Sequence, residues 1–138
     1  MPYFKDAEEV YATLGRLFED IAADDELSAR LKGIDTVVQF RMRRPDSQIT
    51  VRALQEEELL VDFGVTELRA EVVLAMDADT LHRFWLGKVN VTAALARGQI
   101  NARGPVAKIL ALVPLVLPVR ERYAARLGES GREDLVKA

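Results

Sequence analysis

The sequence predicts an α+β fold in which a mainly antiparallel sheet with one apolar face is combined with helices. Two observations carry this prediction. Apolar residues recur with a period of two between residues 34 and 76, which is typical of half-buried strands, and with a helical period before and after that stretch. With 138 residues and no cysteine, the chain is long enough for one domain whose core needs no disulfide bonds.

Two helices are predicted at the start of the chain. Asp6 and Glu9 form a capping-box pattern, and the apolar stripe that follows predicts a helix from about Asp6 to Ala23. The acidic residues 24–26 then precede a short apolar repeat that stops at Gly33, which predicts a second, shorter helix.

Four strands are predicted next, and a fifth follows two further helices. The first four are joined by tight links, which favours mainly antiparallel pairing. Alternation places apolar side chains of each strand on one face, so that the sheet needs a cover on that face only. The predicted strands cover residues 34–42, 49–53, 59–65, 68–76 and 99–103.

The helix predicted after Met76 contains the only histidine of the chain. Asp77 or Asp79 can cap this helix, and His82 follows on its predicted surface. The three side chains invite a metal site, but capping carboxylates explain the same pattern, and we assign no metal. A short helix over Val91–Ala96 is predicted before the last strand.

The most apolar stretch of the chain runs from Gly104 to Pro118. Between Pro105 and Pro118 it has ten aliphatic residues, three prolines and Lys108. Both faces of the predicted helix are apolar, and about 21 Å of helix is too short for the ~30 Å hydrocarbon core of a membrane. Two interpretations remain: a fully buried core helix, or a kinked helix that packs one face on its own domain and the other on an apolar ligand or partner.

Charge is distributed unevenly along the chain. Residues 1–79 contain 18 acids and 9 bases, whereas residues 80–120 contain six bases and no acid. A basic surface beside apolar residues raises the hypothesis of contact with an anionic membrane surface or an anionic ligand head group. The alternative is that these bases are scattered and never form one face.

Several functional classes lack their sequence patterns. No serine lies in a nucleophile elbow, and neither a phosphate-binding loop nor a dinucleotide fingerprint is present. The acidic total does not favour nucleic-acid binding. We therefore expect no catalysis and no cofactor, and the absence of a signal sequence pattern predicts a cytoplasmic protein.

The run from Leu81 to Gly104, LHRFWLGKVNVTAALARGQINARG, resembles the "helix, G-K, short helix, G-x-I/L-x-x-x-G" signature of the sterol carrier protein type-two lipid-transfer domain family. The order of predicted elements agrees with that family over residues 4 to 127. Two differences from the family are the prolines at 114 and 118 and the lack of a C-terminal peroxisomal signal. The latter suggests similarity to stand-alone bacterial members.

The resemblance implies a five-stranded sheet covered on one face by helices that enclose an apolar cavity. It implies a lipid-binding domain over residues 1–127 and a polar C-terminal tail over 128–138 that we expect to fray. The implied ligand is a fatty acyl chain, acyl-CoA, sterol or isoprenoid, and both binding alone and binding followed by transfer stay open. The implied lining residues are Val72, Leu74, Met76, Phe84, Trp85, Ile100, Ile109, Leu110, Val113 and Leu117.

Two other functions stay open at this stage. The domain would be an interaction or accessory module in isoprenoid-lipid metabolism if it presented residues 105–118 to a partner or to a second copy of itself. An enzyme would need a cluster of titratable residues around the cavity, and the sequence does not indicate one.

Overall fold

The computed structural model describes residues 2–137, apart from the side chains of Val116 and Leu117. Helices α1 to α8 span Ala7–Val10, Arg16–Ala23, Asp25–Lys32, Ala78–Trp85, Val91–Ala96, Val106–Leu110, Val116–Glu129 and Glu133–Val136. Strands β1 to β5 span Thr36–Arg43, Ser47–Ala53, Leu60–Phe63, Val72–Asp77 and Ile100–Arg103. A π-helical turn (Tyr11–Gly15) joins α1 to α2, and a 3₁₀ turn (Val113–Leu115) precedes α7.

The N-terminal helices form where the sequence predicts them. The Asp6 carboxylate accepts a hydrogen bond from the Glu9 backbone N–H at 2.9 Å and begins α1. Asp24 does the same for α3 by accepting from the Leu27 N–H, also at 2.9 Å. Both carboxylates satisfy backbone donors that a helix start leaves without an intrahelical partner.

The five strands form one sheet in the order β3-β2-β1-β4-β5. Three of its four pairs are antiparallel, which confirms the prediction of a mainly antiparallel sheet, whereas β1 and β4 are parallel. The parallel pair arises because the chain leaves β3 at one edge of the sheet and crosses to the far side of β1. Residues 68–71, predicted as strand, belong to this crossing connection, so that β4 begins only at Val72.

The two faces of the sheet differ in chemistry. Val38, Phe40 and Met42 of β1 are buried on the face that the helices cover. On the other face, the buried Gln39 side chain donates to the Thr50 hydroxyl at 3.0 Å. The prediction of one apolar face covered by helices is therefore confirmed, and the opposite face is polar.

The apolar stretch after β5 folds back as a broken helix. Gly104 makes the turn with φ of 120°, and a Cβ at this position would lie 2.5 Å from the Glu71 carbonyl oxygen, so that a side chain does not fit. Helix α6 follows, and Pro114 lies in the 3₁₀ turn before α7 because a proline has no N–H for the helical ladder. We call residues 105–115 the cover segment.

The described part of the C-terminal tail, residues 128–137, does not fray as predicted. Helix α7 continues to Glu129, and α8 packs the Leu135 side chain into the core, where it is 2% exposed. Leu135 and Val136 are adjacent apolar residues in a polar stretch, and one such pair has too weak a periodic signal to predict this packing. The division of the chain at residue 127 stays a prediction.

His82 holds these C-terminal helices to α4. The prediction that it lies on the helix surface is wrong: the side chain is fully buried. Its Nε2 lies 2.7 Å from the Leu135 carbonyl oxygen, which can only accept, so that Nε2 carries the proton. In the neutral ring Nδ1 is then an acceptor, and it accepts a hydrogen bond from the Tyr123 hydroxyl at 2.7 Å.

We predict that lowering the pH below about 6.5 destabilises the fold partly through His82. Burial lowers the pKa of His82, so that between the folded and the unfolded pKa the unfolded chain binds a proton that the native chain does not. Stability is therefore fully present above the unfolded pKa and falls as the pH drops, by at most about 1.4 kcal/mol per pH unit for one group.

Urea unfolding of the natural protein and of the His82→Gln variant, measured between pH 8 and pH 5, tests this prediction. The variant should lose about 1–3 kcal/mol at pH 8 and should show a shallower fall in stability towards pH 5. Equal pH slopes for the two proteins would contradict the assignment of a buried neutral histidine.

Candidate functional site

Two apolar cavities lie between the covered face of the sheet and the helices. The first, which we call the α5 cavity, has about 30 Å³ of free volume and is bounded by β4, β5, α4, α5 and the cover segment. The second, the α3 cavity, has about 10 Å³ and lies beside α2, α3 and the start of α7. All of the residues that line either cavity are apolar.

The two cavities share a wall. Phe40, in the middle of β1, and Leu112, in the cover segment, line both of them. Phe40 is part of the sheet, whereas Leu112 belongs to the broken helix above it. Displacing Leu112 would therefore join the two cavities into one elongated space across the sheet.

Most of the predicted lining residues lie around the α5 cavity. Trp85 lines the α3 cavity instead, and Val72 is buried but lines neither cavity. Leu110 is half exposed on the outer side of α6, and the side chain of Leu117 lies outside the described residues. The residues that the structure places around the α5 cavity are Leu74, Met76, Phe84, Ile100, Ile109 and Val113.

The residues of the shared wall, and those of the α3 cavity apart from Trp85, are not among the predicted lining residues. Phe40 alternates with polar residues in the first predicted strand, which identified it as a core residue but not as a partition. Leu112 was hidden in a stretch that is apolar on every side. Phe18 and Leu27 come from the first two helices, whose stripes indicate burial without showing what they face.

Trp85, which lines the α3 cavity, has an unpaired donor. Its side chain is 2% exposed, and its indole N–H has no hydrogen-bond acceptor among the described residues. The Phe18 ring meets the indole edge-on, with ring centroids 5.9 Å apart. A buried donor without an acceptor is costly to the fold.

The cover segment has an apolar outer side as well as an apolar inner side. Ile109 and Leu112 are buried, whereas Val106 and Leu110 are 68% and 50% exposed; Val113, which lines the α5 cavity, is also 38% exposed. The interpretation as a fully buried core helix is therefore wrong, whereas the contact of the outer side with an apolar ligand or partner stays a prediction. Movement of the segment costs little free energy of apolar burial at the exposed aliphatic side chains, because they are already in water.

A polar latch ties the cover segment to the sheet. Lys108 of α6 donates to the Asp35 carbonyl oxygen at 2.7 Å and to a Glu71 carboxylate oxygen at 2.8 Å. The Thr36 hydroxyl donates to the same Glu71 oxygen at 2.7 Å. The hydrogen bond from Lys108, followed by that from Thr36, lowers the pKa of Glu71, so that its carboxylate stays charged in mild acid.

Helix α7, by contrast, is anchored along its length. The Arg126 guanidinium binds Asp20 of α2 through two hydrogen bonds of 2.9 and 2.7 Å, and Arg122 pairs with Asp24. Tyr123, between them, reaches His82. Bidentate pairs of this kind fix position as well as charge, so that α7 is a fixed end from which the cover segment extends.

Other kinds of site find no support in the described part of the chain. Within residues 2–137, no three His, Asp or Glu side chains are grouped so that they could hold a metal ion. His82, the only imidazole, has both ring nitrogens engaged in the core. Among the described helices, none is both long and apolar enough to cross a membrane.

The comparisons agree with this architecture. A model of the SCP-2 sterol transfer family matches residues 14–116. The fold is similar to apo Sterol Carrier Protein 2 from Yarrowia lipolytica, with a TM-score of 0.64 and 15% identity over 81% of this chain and 94% of that chain. The sequence matches none of the curated proteins with which it was compared.

Two further solved structures are similar at the same level. The sterol carrier protein domain 2 of Helicoverpa armigera has a TM-score of 0.64 and 18% identity, over 81% of this chain and 88% of that chain. Sterol Carrier Protein-2 from Aedes aegypti in complex with palmitate, a C16 fatty acid, has a TM-score of 0.51 and 21% identity, over 80% and 93%. At these identities the structural likeness shows a shared fold.

Aspartate at position 109 should abolish any response of Trp85 to an acyl ligand, whereas aspartate at position 110 should not. Both residues lie on α6, but Ile109 lines the α5 cavity and Leu110 faces outwards. A carboxylate facing an apolar chain costs several kcal/mol or must be protonated. Trp85 emission during titration with palmitate measures the response.

Circular dichroism of both variants serves as the control for folding. An unchanged response in Ile109→Asp, with ligand bound by an independent assay, would place the ligand outside the α5 cavity.

Proposed function

Because the chain belongs to the SCP-2 sterol transfer family, whose domains bind and transfer lipids, we propose that it binds one apolar lipid non-covalently between the sheet and the cover segment. The observation that carries this proposal is the wall that Phe40 and Leu112 share between two wholly apolar cavities. An elongated chain fits two cavities in line better than a compact ligand does. Among the candidate ligands, a fatty acyl chain therefore has the best support.

The free volumes of the two cavities require that the cover segment moves. Cavities of about 30 and 10 Å³ hold a few water molecules at most, since one water needs roughly 10–15 Å³ of this measure. Ligand pockets for small molecules usually have about 300–1,000 Å³. We therefore propose that ligand entry displaces the cover segment outwards and that the closed arrangement is the ligand-free one.

The anchoring of the helices supports movement of this segment rather than of α7. Lys108 supplies side-chain polar contacts to α6, whereas α7 is bound through Arg122, Tyr123 and Arg126. Pro114 interrupts the backbone ladder between the two helices, so that α6 can shift without unwinding α7. The segment and the sheet would then enclose the ligand from opposite sides.

Affinity should rise steeply with the length of the acyl chain. Each buried methylene contributes about 0.8 kcal/mol, or roughly a fourfold gain in affinity, until the joined cavities are filled. Titration with a series of saturated fatty acids of increasing length, each below its micelle concentration, measures this gain. Affinity that does not depend on chain length, or no binding at all, would contradict the proposal.

Breaking the latch should speed ligand uptake. In Lys108→Met the contacts to Glu71 and Asp35 are lost, so that the cover segment opens more often, and the association rate for palmitate should rise several-fold at pH 7. Lys5→Met, which removes an exposed charge elsewhere, is the matched control. Stopped-flow measurement of Trp85 emission gives the association rate of each variant.

The pH dependence of the same rates tests the latch further. Because the pKa of Glu71 is lowered, the latch is present above the usual glutamate pKa of about 4.3 and is lost only as the pH falls through the lower, folded value. Uptake by the natural protein should therefore be flat from pH 7 to pH 5 and should rise below about pH 4, and uptake by Lys108→Met should stay flat. Equal association rates for the natural protein and Lys108→Met at pH 7 would contradict the proposed role of the latch.

The exposed outer side of the cover segment supports a second candidate function, an interaction module. Val106, Leu110 and Val113 present aliphatic surface that a partner protein or a second copy could cover. Sedimentation of the ligand-free protein separates the two functions: association that Leu110→Asp abolishes favours the interaction module, and a monomer favours the carrier.

A further inference from the structure

The α5 cavity comes closest to solvent between α5 and the cover segment. Of the residues that line this cavity, Val91 and Leu95 of α5 and Val113 of the cover segment are the ones that are not buried. A side chain that borders a cavity and is also exposed forms a wall only one side chain thick. Such a side chain changes rotamer within nanoseconds, whereas a wall of backbone has to move as a whole. The shortest way into the cavity is therefore at this place.

The surface beside this place is apolar. Val106 and Leu110 are exposed on α6, and Pro105 and Pro114, towards the two ends of the cover segment, are exposed as well. The one charged residue of the segment is Lys108, and its ammonium group is engaged in the latch. The outer side of the cover segment thus presents aliphatic side chains to solvent directly next to the cavity.

The elements around this surface are basic. Residues 80–120, which include α5, β5 and the whole cover segment, contain no acid. The carboxylate that the segment contacts, Glu71, is paired with Lys108. Four arginines of residues 80–120 are exposed and form no ion pair in the described part of the chain, namely Arg83, Arg97, Arg103 and Arg120. Aliphatic side chains on basic elements complement an anionic bilayer, because its head groups attract arginine and its acyl region accepts the aliphatic groups.

A second copy of the chain or a partner protein fits this surface less well. In a two-fold contact the surface would face itself, so that arginines would lie opposite arginines and repel one another. The cover segment also has no Trp, Tyr or Arg, the residues that most often anchor a protein partner. The charge and the aliphatic character of the surface therefore favour a membrane.

We propose that the outer side of the cover segment docks on an anionic membrane and that the lipid passes between this membrane and the α5 cavity at Val113. This inference rests on the proposed function and names the surface from which the ligand comes. Docking places Val106 and Leu110 among the acyl chains, so that the lipid moves between two apolar environments without crossing water. It also favours the outward displacement of the segment, because a displaced segment buries more apolar surface in the bilayer.

Sedimentation with phosphatidylcholine vesicles, with and without phosphatidylserine, tests the docking. The natural protein should bind the vesicles that contain phosphatidylserine about tenfold more tightly at low salt, and the difference should shrink at high salt. Val106→Ser/Leu110→Ser should weaken this binding several-fold. Leu60→Ser/Val65→Ser is the matched control, because it removes one exposed leucine and one exposed valine outside the cover segment and should leave binding unchanged.

A second pair of variants tests the charge. Arg97→Gln/Arg103→Gln removes two exposed arginines from the basic stretch and should weaken binding to phosphatidylserine vesicles about tenfold at low salt. Arg16→Gln/Arg44→Gln removes the same charge from exposed positions outside that stretch and should change binding little. Equal losses in the two charge variants, or equal losses in the two serine variants, would overturn the inference.

Uptake of palmitate, followed by Trp85 emission, separates the inference from the proposed function. Val106→Ser/Leu110→Ser should take up palmitate from phosphatidylserine vesicles several-fold more slowly than the natural protein. Its affinity for palmitate added in solution should stay unchanged, because neither residue lines a cavity.

The other outcomes are distinct. If palmitate binds in solution but no vesicle does, the inference fails and the carrier function stands. If vesicles bind but palmitate does not, the carrier function fails, and with it the passage of lipid at Val113. Self-association that Val106→Ser/Leu110→Ser abolishes, without any binding to vesicles, would assign the surface to a second copy of the chain and overturn the inference.

Discussion

The apolar face of the sheet has to be covered, and part of its cover is a segment that cannot form a continuous helix. Phe40 and its neighbours on β1 and β4 would expose a wide hydrophobic surface if left open, and burial of such surface is the main stabilising term of the fold. Helices α2, α3, α4 and α7 supply well-anchored cover. Between α4 and α7 the sheet is closed by residues 105–115, where Pro114 breaks the helix and Leu112 divides the space beneath.

The proposed opening of the cover segment is compatible with a stable domain. The ion pairs of Arg122 and Arg126 and the buried His82 hold α7 in place, so that the core on that side does not depend on the cover segment. The latch at Lys108 is a partly exposed ion pair, and solvent screens exposed pairs of this kind so that they contribute little to stability. A ligand that buries several methylenes gains more than that, so that binding can displace the segment.

Periodicity predicted the elements well and their placement less well. The Asp6 and Asp24 caps, the strands around Phe40 and Met76, and helix α5 all have local signals in the sequence. The parallel pairing of β1 with β4, the burial of His82 and the packing of Leu135 depend on contacts between residues distant along the chain, for which the sequence has no local signal. Six of the ten predicted lining residues meet at one cavity because strand and helix alternation indicates which side chains face inwards. Leu110 lies outside this group, and the sequence could not show this because its helix is apolar on both sides.

The most direct test of this account is a set of intermolecular nuclear Overhauser effects between a bound acyl chain and the methyl groups of the protein. With palmitate bound, the account predicts contacts from the chain to Leu112 and Ile109 of the cover segment and to Leu74 of the sheet, because the ligand would lie between them. Contacts confined to the exposed methyl groups of Val106 and Leu110 would instead place the ligand on the outside of the cover segment, and would contradict the central claim.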